Sequence, residues 1–257
     1  MKSIQHTDVS RRNFVKTVTA GAALSAMPGI LQAQKAPSQN VIGANSRINV
    51  ACVGFSDRFN NALLPAFLKS KDELNFDMVA LADLWSVRRD QGKALLEKQL
   101  GHGIDLYRSD EELYEKAKNV DAVIISTADF QHAIHTNHAV KAGKDCYSEK
   151  PYAEDMDSAN AALDAVLEAR KANNRGGSIV QVGSQRRSGS AYHLANDYIR
   201  SGAFGDISYV DLCWNVNQPR RWRRDEKMVA SLNEADTDWA KCLLDRPKVP
   251  FDPRKYL

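Results

Sequence analysis

The sequence has no C-x-x-C pair, no excess of either charge, no internal repeat and no long, strongly apolar run. Each absence removes a class of protein. The four cysteines, Cys52, Cys146, Cys213 and Cys242, stand far apart, which argues against a zinc site built on thiolates. They neither demand an oxidising compartment nor exclude one. The 35 basic and 32 acidic residues leave a net charge of +3, too balanced to favour nucleic acid or an anionic membrane. One dense basic cluster, Arg220, Arg221, Arg223 and Arg224 around Trp222, is followed at once by Asp225 and Glu226 and reads as a solvated loop. What remains is ordinary globular composition, 43% hydrophobic and 26% charged, over 257 residues.

The N-terminus carries an address. Residues 10–16 read SRRNFVK, and no charge follows Lys16 until Lys35. The uncharged run is only modestly apolar, is interrupted by Pro28, and ends in the small residues around Ala33. It is too polar for a membrane anchor. A basic region, a modest apolar region and a small-residue end make a cleavable signal peptide. The Arg11–Arg12 pair with Phe14 and Lys16 resembles the twin-arginine type, which predicts export by that machinery to a periplasmic or extracytoplasmic location. Residues 1–33 are read as signal peptide and residues 34–46 as linker. The twin-arginine route moves folded proteins, so it suits a chain that loads a cofactor before export.

From Arg47 onward strands and helices alternate. Apolar text predicts strands at Ile48–Val53, Phe76–Ala82, Asp121–Ser126, Asp145–Ser148 and Ser178–Val182. Helices are predicted at Ala62–Lys69, Val87–Leu100, Glu111–Ala117, Ala133–Ala142, Ser158–Lys171 and Tyr192–Arg200. This rhythm argues for an α/β fold with a doubly wound parallel sheet, whose ligands bind at the carboxyl ends of the strands. Ile207–Trp214 reads as a strand of a second domain. A lone strand and helix cannot bury a core, so that domain looks incomplete.

Glycine is short where it is most wanted. The dinucleotide fingerprint is G-x-G-x-x-G after the first strand; GFSDRFNN keeps Gly54 and places Ser56 and Phe59 at the other two positions. Ser56 is a small change, and its hydroxyl suits a phosphate. Phe59 is a large one: its ring must point to solvent, or the loop must be displaced. Asp57 brings a negative charge near a phosphate site, which the neighbouring Arg58 would partly offset. Asp83 ends the second strand, 29 residues after Gly54, where an acidic residue accepts hydrogen bonds from the adenosine ribose and favours NAD over NADP. STADFQH (126–132) and SEKPY (148–152) follow later strands, over the same cleft. A lysine there, Lys150, can act on a substrate hydroxyl. Taken alone, Glu149–Lys150 reads as a surface ion pair. His132, His135 and His138 recur every three residues; that step drifts round a helix, which argues against one metal held by all three.

The order of these pieces resembles the Gfo/Idh/MocA family of oxidoreductases, in its twin-arginine-exported branch. The pieces are the glycine loop, Asp83, TADFQH, EKP, QVGSQRR (181–187), SGAFGDI (201–207) and WNVNQPRRWRR (214–224). The resemblance spans about residues 47–257, and EKP and QVGSQRR are its most specific parts. It implies a Rossmann domain over residues 47–187 and, over 188–257, the beginning of an α/β substrate domain with a mostly antiparallel sheet, incomplete at the C-terminus. It implies a tightly held NAD, or NADP, and a sugar or polyol substrate, with a homo-oligomer as a further expectation. Lys150 would be the catalytic lysine at the reacting hydroxyl. Glu149 and Pro151 would shape its turn, the Lys150–Pro151 bond often being cis in relatives. Thr127 and His132 would line the nicotinamide side, and Asp83 would hold the ribose. Arg58 keeps the position of the family's loop arginine. Gln185 and Arg187 would sit at the cleft between domains. Two other readings stand beside the oxidoreductase: a glycosidase of the same fold using bound NAD, and a catalytically inactive nucleotide- or sugar-binding remnant.

Overall fold

The computed structural model describes residues 47–172, 177–213, 215, 217 and 225–256. The segments read as signal peptide (1–33) and linker (34–46), and the arginine cluster at 220–224, lie outside the described residues.

Six parallel strands form one sheet in the order β3-β2-β1-β4-β5-β6. They are β1 (Ile48–Val53), β2 (Phe76–Ala82), β3 (Asp105–Tyr107), β4 (Ala122–Ile125), β5 (Asp145–Glu149) and β6 (Val180–Gly183). The helices are α1 (Leu64–Ser70), α2 (Ser86–Leu100), α3 (Asp110–Lys116), α4 (His132–Lys141), α5 (Met156–Ala172), α6 (Ser190–Arg200), α7 (Glu226–Ser231), α8 (Trp239–Leu243) and α9 (Pro253–Tyr256). The doubly wound parallel sheet is therefore present. Strand order reverses at β1, which pairs with β2 on one side and β4 on the other. That switch point opens a crevice at the strands' carboxyl ends.

Side chains alternate across the sheet, so the central strands feed two cores. On one face Ala51, Val53, Ala80, Ala82, Val123 and Ile125 pack with Leu113 of α3 and Ala139 of α4. On the other, Val50, Cys52, Met78 and Leu81 pack with Leu64 and Phe67 of α1 and Leu96 of α2. Burial on both faces explains why β1 and β2 read as continuous apolar runs.

Helix α2 comes closest to the sheet at Gly92. A Cβ there would lie 2.4 Å from Leu81 Cδ2 and 3.0 Å from the Phe55 ring. Gly92→Ala is expected to cost about 1–3 kcal/mol through overpacking. It would show as a lower urea midpoint with an unchanged slope.

Two expectations need correction. Asp105–Tyr107 forms an edge strand that the sequence pattern does not announce, because three residues are too few to show a period. Ile207–Cys213 forms no strand; its Tyr209, Val210 and Leu212 stand exposed. Strand propensity there has no partner edge among the described residues, and an unpaired strand is not stable alone. Farther on, Trp239, Cys242 and Leu243 pack with Phe251 and Tyr256 against Leu84, just beyond the end of β2. No helix among the described residues is long and apolar enough to cross a membrane.

Candidate functional site

Strand β1 runs into Gly54, which has φ +87°, a left-handed conformation that favours glycine. A Cβ at Gly54 would also lie 2.7 Å from Thr127 Cγ2 and 3.1 Å from the Ser126 backbone. Its N–H donates to Ala82 O at 2.8 Å, and its carbonyl accepts from the Ser126 hydroxyl at 2.7 Å. The loop is thus clamped to β2 on one side and to the end of β4 on the other. Helical backbone begins at Asp57. The Ser56 hydroxyl accepts from Phe59 N at 3.1 Å, which caps the turn and leaves its own hydrogen free to donate.

The Phe59 ring does not point to solvent. It is fully buried in the core, 5.7 Å from the Phe55 ring. The chain makes room by opening as a π-helical turn, Phe59–Leu63, before α1. A wider first turn holds a ring where the usual glycine lets a helix lie flat on its strand. A close helix–sheet approach does occur at Gly92, but on another helix and over Leu81 of β2.

The loop's charges pair differently from their order in the sequence. Asp57 is offset by Arg88, 2.9 Å away, and not by Arg58. Arg58 reaches across to β5, where its Nε donates to Glu149 Oε1 at 3.0 Å. Glu149 is buried, so it is not a surface partner of Lys150. The Tyr147 hydroxyl also donates to Glu149 Oε1, at 3.1 Å. Burial, then the adjacent Glu149 charge, pushes the Tyr147 hydroxyl up to about 12. Tyr147 is a site residue the sequence reading missed; its two-residue step from Glu149 puts both on one strand face.

Asp83 follows β2 directly. Its Oδ2 accepts from Phe55 N at 2.7 Å and its Oδ1 from Trp85 N at 2.9 Å. Burial raises its carboxyl above the usual range, against the pull of those N–H groups and of Arg88 and Arg89. Each oxygen keeps lone-pair capacity for a further donor. Asp83 therefore holds the glycine loop from the carboxyl end of β2.

His132 opens α4 and is buried. Its ring nitrogens face Pro151 O at 2.7 Å and Thr127 O at 3.2 Å, tying the loop after β4 to the turn after β5. The Lys150–Pro151 bond is cis. Lys150 stands exposed, with no ion pair on its ammonium among the described residues. Thr127 Oγ1 is buried and has no hydrogen-bond partner among the described residues. Gln185 and Arg187 stand exposed in the turn beyond β6, the strand paired with β5.

Gly54, Asp83, Thr127 and Lys150 thus follow β1, β2, β4 and β5, four neighbouring strands, at the sheet's carboxyl edge. Gly54 leaves a shallow cradle against Thr127, the helix beginning at Asp57 offers backbone N–H groups to an anion, and Thr127 Oγ1 awaits a partner. These features fit a dinucleotide.

Comparison with known proteins agrees. The chain is 33% identical over 130 residues to the inositol 2-dehydrogenase of Rubrobacter xylanophilus; the match covers 50% of this chain and 33% of that protein. Among solved structures, the WlbA dehydrogenase from Bordetella pertussis, determined with NADH and UDP-GlcNAcA, superposes with a TM-score of 0.52 at 21% identity. It covers 62% of this chain and 43% of its own. The myo-inositol 2-dehydrogenase of Lactobacillus plantarum gives a TM-score of 0.50 at 20% identity, covering 63% and 43%. At such identities the likeness speaks for the fold, and the chain spans well under half the length of these relatives. The family model for the oxidoreductase family with the NAD-binding Rossmann fold, Gfo/Idh/MocA, matches residues 48–176, half of the chain. Placed on a sheet of that topology, with the glycine loop and Asp83 at its switch point, that match settles the matter: the chain belongs to the Gfo/Idh/MocA oxidoreductase family.

Proposed function

We propose that this chain carries the coenzyme-binding part of an NAD-linked oxidoreductase that acts on a hydroxyl of a sugar or polyol. The observation that carries the reading is the convergence of Gly54, Asp83, Thr127 and Lys150 at one edge of the sheet. Gly54, Ser56 and the helix start at Asp57 would hold the pyrophosphate, Asp83 the adenosine ribose, and Thr127 and His132 the nicotinamide side. When bound, the nicotinamide supplies the hydride acceptor. A carbinol carbon gives up hydride only as its O–H proton leaves, and Lys150 takes that proton. Glu149, held by Arg58 and Tyr147, sets the backbone from which Lys150 extends. Gln185 and Arg187 would meet the substrate. The inositol dehydrogenases among the relatives support a polyol.

Export by the twin-arginine route belongs to the same proposal and rests on Arg11, Arg12, Phe14 and Lys16. So does the start of a substrate domain after residue 187.

The test is dinucleotide binding by the full chain. Native mass spectrometry should show one nicotinamide dinucleotide travelling with the polypeptide. Titration should show NADH bound roughly tenfold or more tighter than NADPH, because the Asp83 carboxylate opposes a 2′-phosphate. An empty chain that binds neither at millimolar concentration would overturn the reading.

A further inference from the structure

A second cluster lies on the α3–α4 side of the sheet and takes no part in the site above. Asp110 is the first residue of α3, and His135 and His138 lie on α4, three residues apart on one face. Asp110 Oδ2 sits 2.8 Å from His135 Nδ1 and 2.8 Å from His138 Nδ1. The Asp110 and His135 side chains are buried, whereas His138 is partly open. One donor atom from each of the three residues lies within 4.8 Å of the others. They line a cavity of about 460 Å³, bounded also by Glu111, Lys241 and Asp245.

We propose that Asp110, His135 and His138 bind a divalent transition-metal ion of zinc-like chemistry, with its fourth position facing this cavity. Two imidazoles and one carboxylate are the donor set of three-ligand zinc centres. Tetrahedral bonds of about 2.0–2.1 Å put donor atoms about 3.3 Å apart. The Asp–His distances lie a little inside that value and the outer limit of the cluster lies beyond it. In the ion's absence, ring hydrogens on the two Nδ1 atoms share Asp110 Oδ2. On binding, each Nδ1 turns its lone pair to the ion and its hydrogen moves to Nε2. The wall carries the Glu111–Lys241 ion pair, which offsets itself, and Asp245, which adds a further carboxylate. The exposed part of His138 gives the ion a way in. His132, the third histidine of the run, is held by carbonyl oxygens on the coenzyme side and contributes nothing. The carboxylate of another helix takes the place it would need.

The experiment strips the full chain with a chelator and titrates it with zinc by calorimetry and with cobalt(II) by visible absorption. One equivalent should bind, and cobalt should develop the intense visible bands of a tetrahedral site. His138→Ala, at a partly exposed position, and Asp110→Asn, which keeps the shape, should each weaken binding by at least about tenfold. Circular dichroism checks that both remain folded. His102→Ala and Cys213→Ser should leave binding unchanged. The absence of saturable binding, or binding that survives both cluster substitutions, would overturn the proposal. So would binding lost only in the His102 or Cys213 variant.

Discussion

Replacing Arg58 by methionine is expected to destabilise the fold by about 3 kcal/mol. The pair it breaks joins the loop after β1 to the end of β5, and its two ends differ in exposure. The Arg58 side chain is 37% exposed, whereas that of Glu149 is 3% exposed. Removing the cation therefore strands a carboxylate in a place water barely reaches. Among the described residues, only the Tyr147 hydroxyl, and at 3.3 Å the N–H of Lys150, would still face it. An exposed pair would cost under about 1 kcal/mol. The discriminating measurement is a double-mutant cycle in urea. Glu149→Gln in the Arg58→Met background should restore much of the loss, because no buried charge is then left alone. A single-variant loss below about 1 kcal/mol would show that the pair behaves like a surface bridge.

Lys150→Met is expected to do the opposite: little to stability and much to turnover. The ammonium is exposed and has no ion pair among the described residues, so its removal breaks no fold-bearing contact. If it takes the hydroxyl proton, its loss should lower kcat by about 100- to 10,000-fold. Dinucleotide affinity should change little, since the pyrophosphate and ribose are assigned to Gly54, Ser56 and Asp83. Single-turnover reduction of NAD in the presence of an inositol or related polyol reads the first effect, and NADH titration reads the second. Unchanged hydride transfer in a folded, NAD-binding Lys150→Met chain would remove Lys150 from the chemistry.

The sheet was legible from residue pattern because strands covered on both faces are written in unbroken apolar text. Ile48–Val53 and Phe76–Ala82 are found where that text predicts them. The edge strand Asp105–Tyr107 was not, since it is short and only partly covered. Ile207–Cys213 shows the reverse error. Its composition suits a strand, but strands exist in pairs, and sequence does not reveal a missing partner. At the site, residue positions were readable and pairings were not. Chain order sets Arg58 beside Asp57 and Glu149 beside Lys150, yet the real partners are 31 and 91 residues apart. The fate of Phe59 was hidden for a different reason. A π-helical turn leaves no compositional trace. The Asp110 cluster was missed because one ligand comes from outside the histidine run.

The position of β1 sets a timetable for synthesis. Val50 pairs with Met78 on one side and with Ala122 on the other. The second partner is made 72 residues after Val50. At about 5–20 residues per second, that is a wait of roughly 4–14 s. Through that interval one edge of this buried strand is open, even after β2 has been made to pair with its other edge. The ribosome-bound chain passes through a stage in which its own centre is an unpaired edge, and such edges attract other strands. Ala122–Ile125 is therefore the segment whose arrival ends the hazard.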